Sequence, residues 1–212
     1  TINGVNDGAV VTNDARSVTE DQDLNPVDSV PDTVLSVTGA ISVSDVDQGE
    51  GAFDPATLSF GGRTNSNALD TDTTELGTLT LLDDQGNYSF AVDNAAVQYL
   101  AAGDAVVQTW TVDSVDGSGT STITITINGV NDGAVVTNDA RSVTEDQDLN
   151  PVDSVPDTVL SVTGAISVSD DDQGEGAFDP GTLSFGGRTN SNALDTDTAE
   201  LGTLTLLDDQ GN

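Results

Sequence analysis

Carboxylates spaced so that several can face one cation are the chemistry this chain offers. The segment Ser44-Asp45-Val46-Asp47-Gln48-Gly49-Glu50 sets two aspartates at alternate positions ahead of a glycine turn, and it returns as residues 169–175 with Asp170 and Asp172 in the matching places. Alternate side chains on extended backbone leave it in the same direction, so both carboxylates can be aimed at one ion. The segment is not an EF-hand loop, which would carry Asp or Asn at the position of Gly49, Gly at that of Glu50 and a later bidentate Glu; a solvated turn is the plain alternative. A second cluster is Asn128-Gly129-Val130-Asn131-Asp132-Gly133, matched by Asn3-Gly4-Val5-Asn6-Asp7-Gly8. Its side-chain and carbonyl oxygens could all coordinate, and as a bare linker it would be flexible. A third is Val18-Thr19-Glu20-Asp21, with its counterpart at residues 143–146. The chain has no Cys and no His, which argues against zinc or copper and leaves oxygen donors that select Ca²⁺ or Mg²⁺.

Charge narrows the partners. Lys and Arg together number 4 against 37 Asp and Glu, a formal net charge of −33. Nucleic acid is excluded as a partner, since its binding rests on neutralising phosphates with basic side chains, and an anionic membrane surface would be repelled. No apolar run approaches membrane-span length, so insertion is not expected. Self-repulsion of this size is relieved by a bound divalent cation or by a salty medium.

The elements that must hold these carboxylates are strands. Residues 122–127 alternate Thr and Ile, putting three β-branched apolar side chains on one face. Similar runs at 16–19, 35–43, 57–60, 77–82, 88–92 and 106–112 give about seven strands. Turn sequences at 84–87 and 116–119 predict hairpins. Residues 94–103, with Asn first and Gly last, predict one or two helical turns with Tyr99 and Leu100 plugging the core. Residues 20–32 and 63–75 read as loops. The pattern predicts an all-β Greek-key sandwich with one short helical crossover.

Residues 1–87 recur as residues 126–212, with differences only at Val46/Asp171, Ala56/Gly181 and Thr74/Ala199. The period of 125 residues is that of a whole domain in a tandem array. Residues 1–8 read as the tail of a preceding copy, 9–133 as a complete repeat and 134–212 as an incomplete one. Residues 88–128 contain the only Trp and both Tyr, so the second copy lacks much of its core and is expected to be marginal alone.

Taken together, Ser-Val-Thr-Glu-Asp, Ser-Val-Ser-Asp-Val-Asp-Gln-Gly-Glu, Leu-Gly-Thr-Leu-Thr-Leu, Tyr-Ser-Phe-Ala-Val-Asp-Asn, Trp-Thr-Val-Asp-Ser-Val-Asp-Gly and Thr-Ile-Thr-Ile-Asn-Gly-Val-Asn-Asp resemble the VCBS repeat over essentially the whole period. That family supplies the extender region of very large, RTX-type bacterial surface adhesins and is cadherin-like or Ig-like in fold, with calcium between modules. The resemblance implies a junction using Glu20, with Asp83 or Asp84, from the first copy, Asn131 and Asp132 from the linker, and Asp170 and Asp172 from the second. It implies an equivalent half-site at Asn6, Asp7, Asp45, Asp47 and Asp113 or Asp116. Where the family carries Asp-Arg-Glu after Leu82, this chain has Asp83-Asp84-Gln85, which leaves the number of ions per junction open.

An enzyme is not expected. The chain offers no His, Cys or Lys as base or nucleophile, and Trp110 and Tyr88 sit in alternating strands that place them in a core. The expected function is a Ca²⁺-rigidified extender of a secreted, cell-surface adhesin serving adhesion or biofilm formation, with adjacent repeats as its partners. The alternative is a self-associating repeat that builds an extracellular filament or surface layer by strand exchange.

Overall fold

A computed structural model of the chain describes residues 3–23, 32–146, 158–189, 191, 194 and 196–211. The chain divides into two compact units, Thr1–Asp132 and Gly133–Asn212. It is all-β; the helices among the described residues are three 3-10 turns of three residues, at Pro55–Thr57, Asn94–Ala96 and Pro180–Thr182.

Among its described residues the first unit holds nine strands: β1 (Val10–Thr12), β2 (Asp14–Thr19), β3 (Val34–Ala40), β4 (Ser42–Ser44), β5 (Ser59–Asn65), β6 (Thr78–Leu81), β7 (Asn87–Asp93), β8 (Ala105–Asp113) and β9 (Thr120–Asn128). They make a four-stranded sheet in the order β2-β9-β8-β5, a three-stranded sheet in the order β3-β7-β6, and a β1-β4 ribbon. β2 and β9 pair in parallel, from Asp14 opposite Ile123 to Thr19 opposite Asn128. Period-two alternation decides which face turns inward: β8 buries Val106, Gln108, Trp110 and Val112, and β9 buries Ser121, Ile123, Ile125 and Ile127. From the other sheet come Leu35, Leu79, Tyr88, Phe90 and Val92. The two inner faces meet in one core, with the Phe90 ring 5.7 Å and the Phe60 ring 5.5 Å from that of Trp110.

Polar side chains complete the interior where strands give way to loops. Buried Gln108 donates to the Leu76 carbonyl (2.9 Å) and accepts from its N–H (2.7 Å), serving the loop as a strand backbone would. Arg63 is buried in β5 rather than lying in a loop as the sequence suggests. Its guanidinium pairs with Asp70 and donates to the Tyr99 hydroxyl at 2.6 Å, which compensates the burial of its charge.

Other expectations change at element ends. The run 35–43 is not one strand: it breaks at Ile41, whose N–H donates to the Gly86 carbonyl (3.1 Å) as the chain passes from β3 to the ribbon strand β4. In the run 57–60, Pro55–Thr57 forms a 3-10 turn capped by the Asp54 carboxylate, and β5 starts at Ser59. The crossover at 94–103 contains only the 3-10 turn Asn94–Ala96 and further turns. Asn94 does not cap it; its amide donates to Asp21 Oδ1 (2.8 Å) and its Oδ1 accepts from the Asp21 N–H (3.0 Å). Leu100 is fully buried and Tyr99 packs at the core's margin. Of the loop at 20–32, residues 24–31 lie outside the described residues.

The second unit repeats the ribbon, with β10 (Val135–Thr137) antiparallel to β11 (Ser167–Ser169). It also repeats local hydrogen bonds: Ile166 N–H to Gly211 carbonyl at 3.1 Å and Phe178 N–H to Asp209 carbonyl at 2.8 Å match those of Ile41 and Phe53 in the first unit. No larger sheet forms among its described residues. Its sequence holds no counterpart of residues 88–128, which supply nearly all of β7 and the whole of β8 and β9 in the first unit.

Candidate metal centre

The loop after β4, the turn after β8 and the segment before β1 converge at one end of the first unit. Asp45 and Glu50 from the loop and Asp116 from the turn each present a carboxylate oxygen within 4.8 Å of the others, a spacing that could hold a metal ion. The loop folds on itself through the Asp47 N–H donating to Asp45 Oδ1 (2.8 Å), and Gly49 at φ +93° reverses the chain so that Glu50 returns beside Asp45. The turn is set by Asp116 Oδ1, which accepts from the Ser114 hydroxyl (2.6 Å) and the Ser118 N–H (3.2 Å). The leading segment is tied to both: the Asp7 N–H donates to Asp47 Oδ2 (2.7 Å) and the Asn6 amide to Asp116 Oδ2 (3.2 Å).

Electrostatics at this end are uncompensated by protein. Asp45 Oδ2 and Glu50 Oε2 are buried atoms with no hydrogen-bond partner. Burial, then the charges of Asp47, Asp116 and Asp45, pushes the Glu50 carboxyl above the ordinary glutamate range. Hydrogen bonds from Ser114 and then Ser118 hold Asp116 well below the ordinary aspartate range, so it stays ionised beside Glu50. No arginine is available to intervene: Arg16 pairs with Asp14, Arg63 with Asp70, Arg141 with Asp139 and Arg188 with Asp197, and the chain has no Lys or His. A set of convergent carboxylate oxygens with two buried atoms unsatisfied fits a hard divalent cation.

Of the residues marked out in the sequence, Asp45 and Asp116 come together directly, while Asp47, Asn6 and Asp7 form the surrounding hydrogen-bonded frame. Asp113 turns instead to the Thr120 hydroxyl (2.6 Å), across the hairpin. Asp83 closes the β6–β7 turn by accepting from the N–H groups of Gln85 (3.1 Å) and Asn87 (3.0 Å), and exposed Asp84 accepts from the Gln85 amide (3.3 Å). Glu50 was not among the residues the spacing singles out.

At the end of β2, Glu20 is buried, with Oε1 accepting from the Val130 N–H and its own N–H donating to the Asn128 carbonyl (3.0 Å). The linker repeats its local form: Asn131 donates to the Asp132 carbonyl as Asn6 does to that of Asp7. In the second unit, Asp172 is buried and its N–H donates to Asp170 Oδ1 (3.0 Å), reproducing the Asp45–Asp47 turn, with exposed Asp171 standing where the first copy has Val46.

No helix among the described residues is long and apolar enough to cross a membrane. In comparisons with known proteins, no family model and no curated protein matches the chain.

Proposed function

We propose that the first unit is a Greek-key β-sandwich module of a repetitive, secreted bacterial surface protein, stiffened at its end by a bound calcium ion. Asp45, Glu50 and Asp116 would hold the ion, which would replace mutual repulsion by shared attraction. The observation that carries this reading is the triad itself: three convergent carboxylates, two with orphaned buried oxygens, in a chain whose every basic side chain is engaged elsewhere. The hydrogen bonds from Asn6 and Asp7 into the same cluster supply the mechanical consequence. An ion that fixes the two loops would also fix the segment entering the module and so set its direction. The sequence resemblance to VCBS repeats supports an extender role in which adjacent repeats are the partners, and the chain's lack of His, Cys and Lys supports a non-catalytic one.

Thermal unfolding of the full chain in chelator, in Mg²⁺ and in Ca²⁺ tests the reading. Stabilisation following RT ln(1 + [L]/Kd), with half-saturation at roughly 10⁻⁴ to 10⁻³ M Ca²⁺ as in extracellular modules, is the expected outcome. An identical transition in all three media would overturn it.

A further inference from the structure

The strand that follows the entry to the first unit lies beside the strand that leads out of it. β2 is at one edge of the four-stranded sheet and pairs with β9 in parallel over six residues, from Asp14 opposite Ile123 to Thr19 opposite Asn128. The chain comes into β2 at one end of this ladder and leaves β9 at the other. Opposite pulls on the two sides of the unit therefore run along the two strands in opposed directions, so that one strand must slide past the other and all the bonds between them are strained together. In an antiparallel pair, entry and exit would fall at the same end and the same pulls would open the bonds one after another.

The rest of the unit braces this pair. β9 is anchored to β8 over nine residue pairs, from Ala105 opposite Asn128 to Asp113 opposite Thr120. At the entering end, the Asn13 side chain accepts from the Thr122 N–H (2.8 Å), the Ser121 hydroxyl donates to the Thr12 carbonyl (2.5 Å), and Asp14 Oδ2 accepts from the Tyr88 hydroxyl of the other sheet (2.8 Å). At the leaving end, the Glu20 N–H donates to the Asn128 carbonyl (3.0 Å), the Asn128 amide to the Val18 carbonyl (3.2 Å), and the Val130 N–H to the Glu20 carboxylate. Gly129 is wedged at the same place. Its N–H donates to the Asp104 carbonyl (2.9 Å), and a Cβ on it would lie 2.4 Å from the Leu100 and Ala101 carbonyl oxygens. None of these bonds involves Asp45, Glu50 or Asp116.

We infer that the β2–β9 pair is a mechanical clamp, which keeps the first unit folded under tension applied along the chain. Its strength is directional, high when the strands are made to slide and low when they are parted from one end. That tension reaches the unit along the chain rests on its proposed place in an array; the resistance to sliding rests on the topology and needs no bound ion.

The chain has no Cys, so pairs of introduced thiols fix where a pull is applied in single-molecule force spectroscopy. Val10, Val115 and Val130 are exposed, and their replacement spares folding. The full chain with Val10→Cys and Val130→Cys is pulled so that β2 and β9 slide. With Val10→Cys and Val115→Cys, the second handle sits in the turn between β8 and β9, where the Ala9 N–H donates to Ser118 Oγ (2.7 Å), and the same ladder is opened from its entering end. In chelator, sliding should rupture the unit at a force roughly threefold or more above that of opening. The main sliding step should release residues 14–128, a gain of roughly 400 Å at about 3.5 Å per residue. Equal rupture forces in the two directions would overturn the proposal, and so would a main sliding step of much shorter gain, because another element would then be the barrier. Chelator throughout keeps the two readings separate: loss of the directional contrast leaves the calcium site untouched, and thermal unfolding indifferent to calcium leaves the clamp untouched.

Discussion

Glu50 and Asp116 share one site and respond to pH in opposite senses. Glu50 binds its proton more tightly in the folded unit than in the unfolded chain. Its ionisation therefore costs stability above the folded pKa, and the cost is lifted as pH falls from that value toward the ordinary glutamate one. Asp116 is depressed, so it contributes stability above the ordinary aspartate value that is lost as pH falls through its folded pKa. Glu50→Gln separates the two. In chelator at neutral pH the variant should melt above the parent, and the gap should close as pH falls through the Glu50 window. In millimolar Ca²⁺ the order should reverse, with calcium affinity reduced roughly tenfold by loss of a charged ligand. A calcium-induced shift in melting temperature that survives the substitution unchanged would remove Glu50 from the site. Asp45 and Asp116 are legible in the sequence as carboxylates beside turns. Glu50 is not, because the alternation that marks Asp45 and Asp47 stops at Gly49, and only that residue's positive φ brings Glu50 back.

At the scale of elements, the strands that could be read directly are those with one buried face. β8 and β9 alternate cleanly, and their hairpin follows from Asp116-Gly117-Ser118-Gly119. What stayed hidden depends on contacts distant in sequence: the three-residue β1, held by β4, the parallel pairing of β2 on β9, and Arg63, whose place in β5 rests on Asp70 and Tyr99. Gly39 shows the same dependence. It faces Tyr88 across β3 and β7, and a Cβ there would lie 2.3 Å from the Tyr88 hydroxyl oxygen and 2.5 Å from Asp14 Oδ2. That hydroxyl donates to Asp14 (2.8 Å), and burial followed by the Asp14 hydrogen bond pushes its pKa up to about 12. Gly39→Ala should destabilise the first unit by about 1–3 kcal/mol in denaturant unfolding. Gly164→Ala is the control within the same chain. The nearest atoms to its Cβ would belong to the exposed side chains of Asp139 and Arg141, with no tyrosine ring among them, so its cost should fall below about 0.5 kcal/mol. Equal costs at the two positions would mean that Tyr88 is not what makes glycine necessary.

For the whole molecule, two near-identical sequences adopt different degrees of order, so local propensity cannot be what makes the strands. Residues 34–40 form β3 and residues 78–81 form β6 in the first unit, whereas their counterparts at 159–165 and 203–206 form no strand. The difference is the partner. Backbone N–H and C=O groups of β3 and β6 are satisfied by β7, and their apolar faces are covered by the sheet that β8 and β9 build. Repulsion sharpens the contrast, since a chain of net charge −33 has little to hold an unpaired segment in place. Native-state hydrogen exchange should record this directly. Amides in residues 34–40 and 78–81 should exchange only by opening of the whole first unit, at rates roughly 100-fold or more below those of 159–165 and 203–206, which open locally. Added Ca²⁺ should slow the first group further by raising the stability of the unit that binds it, and should leave 203–206 nearly unchanged, because a cation at an acidic loop supplies no ladder partner. If the two groups exchange alike, the strands owe their order to their own sequences and β7 is dispensable to them.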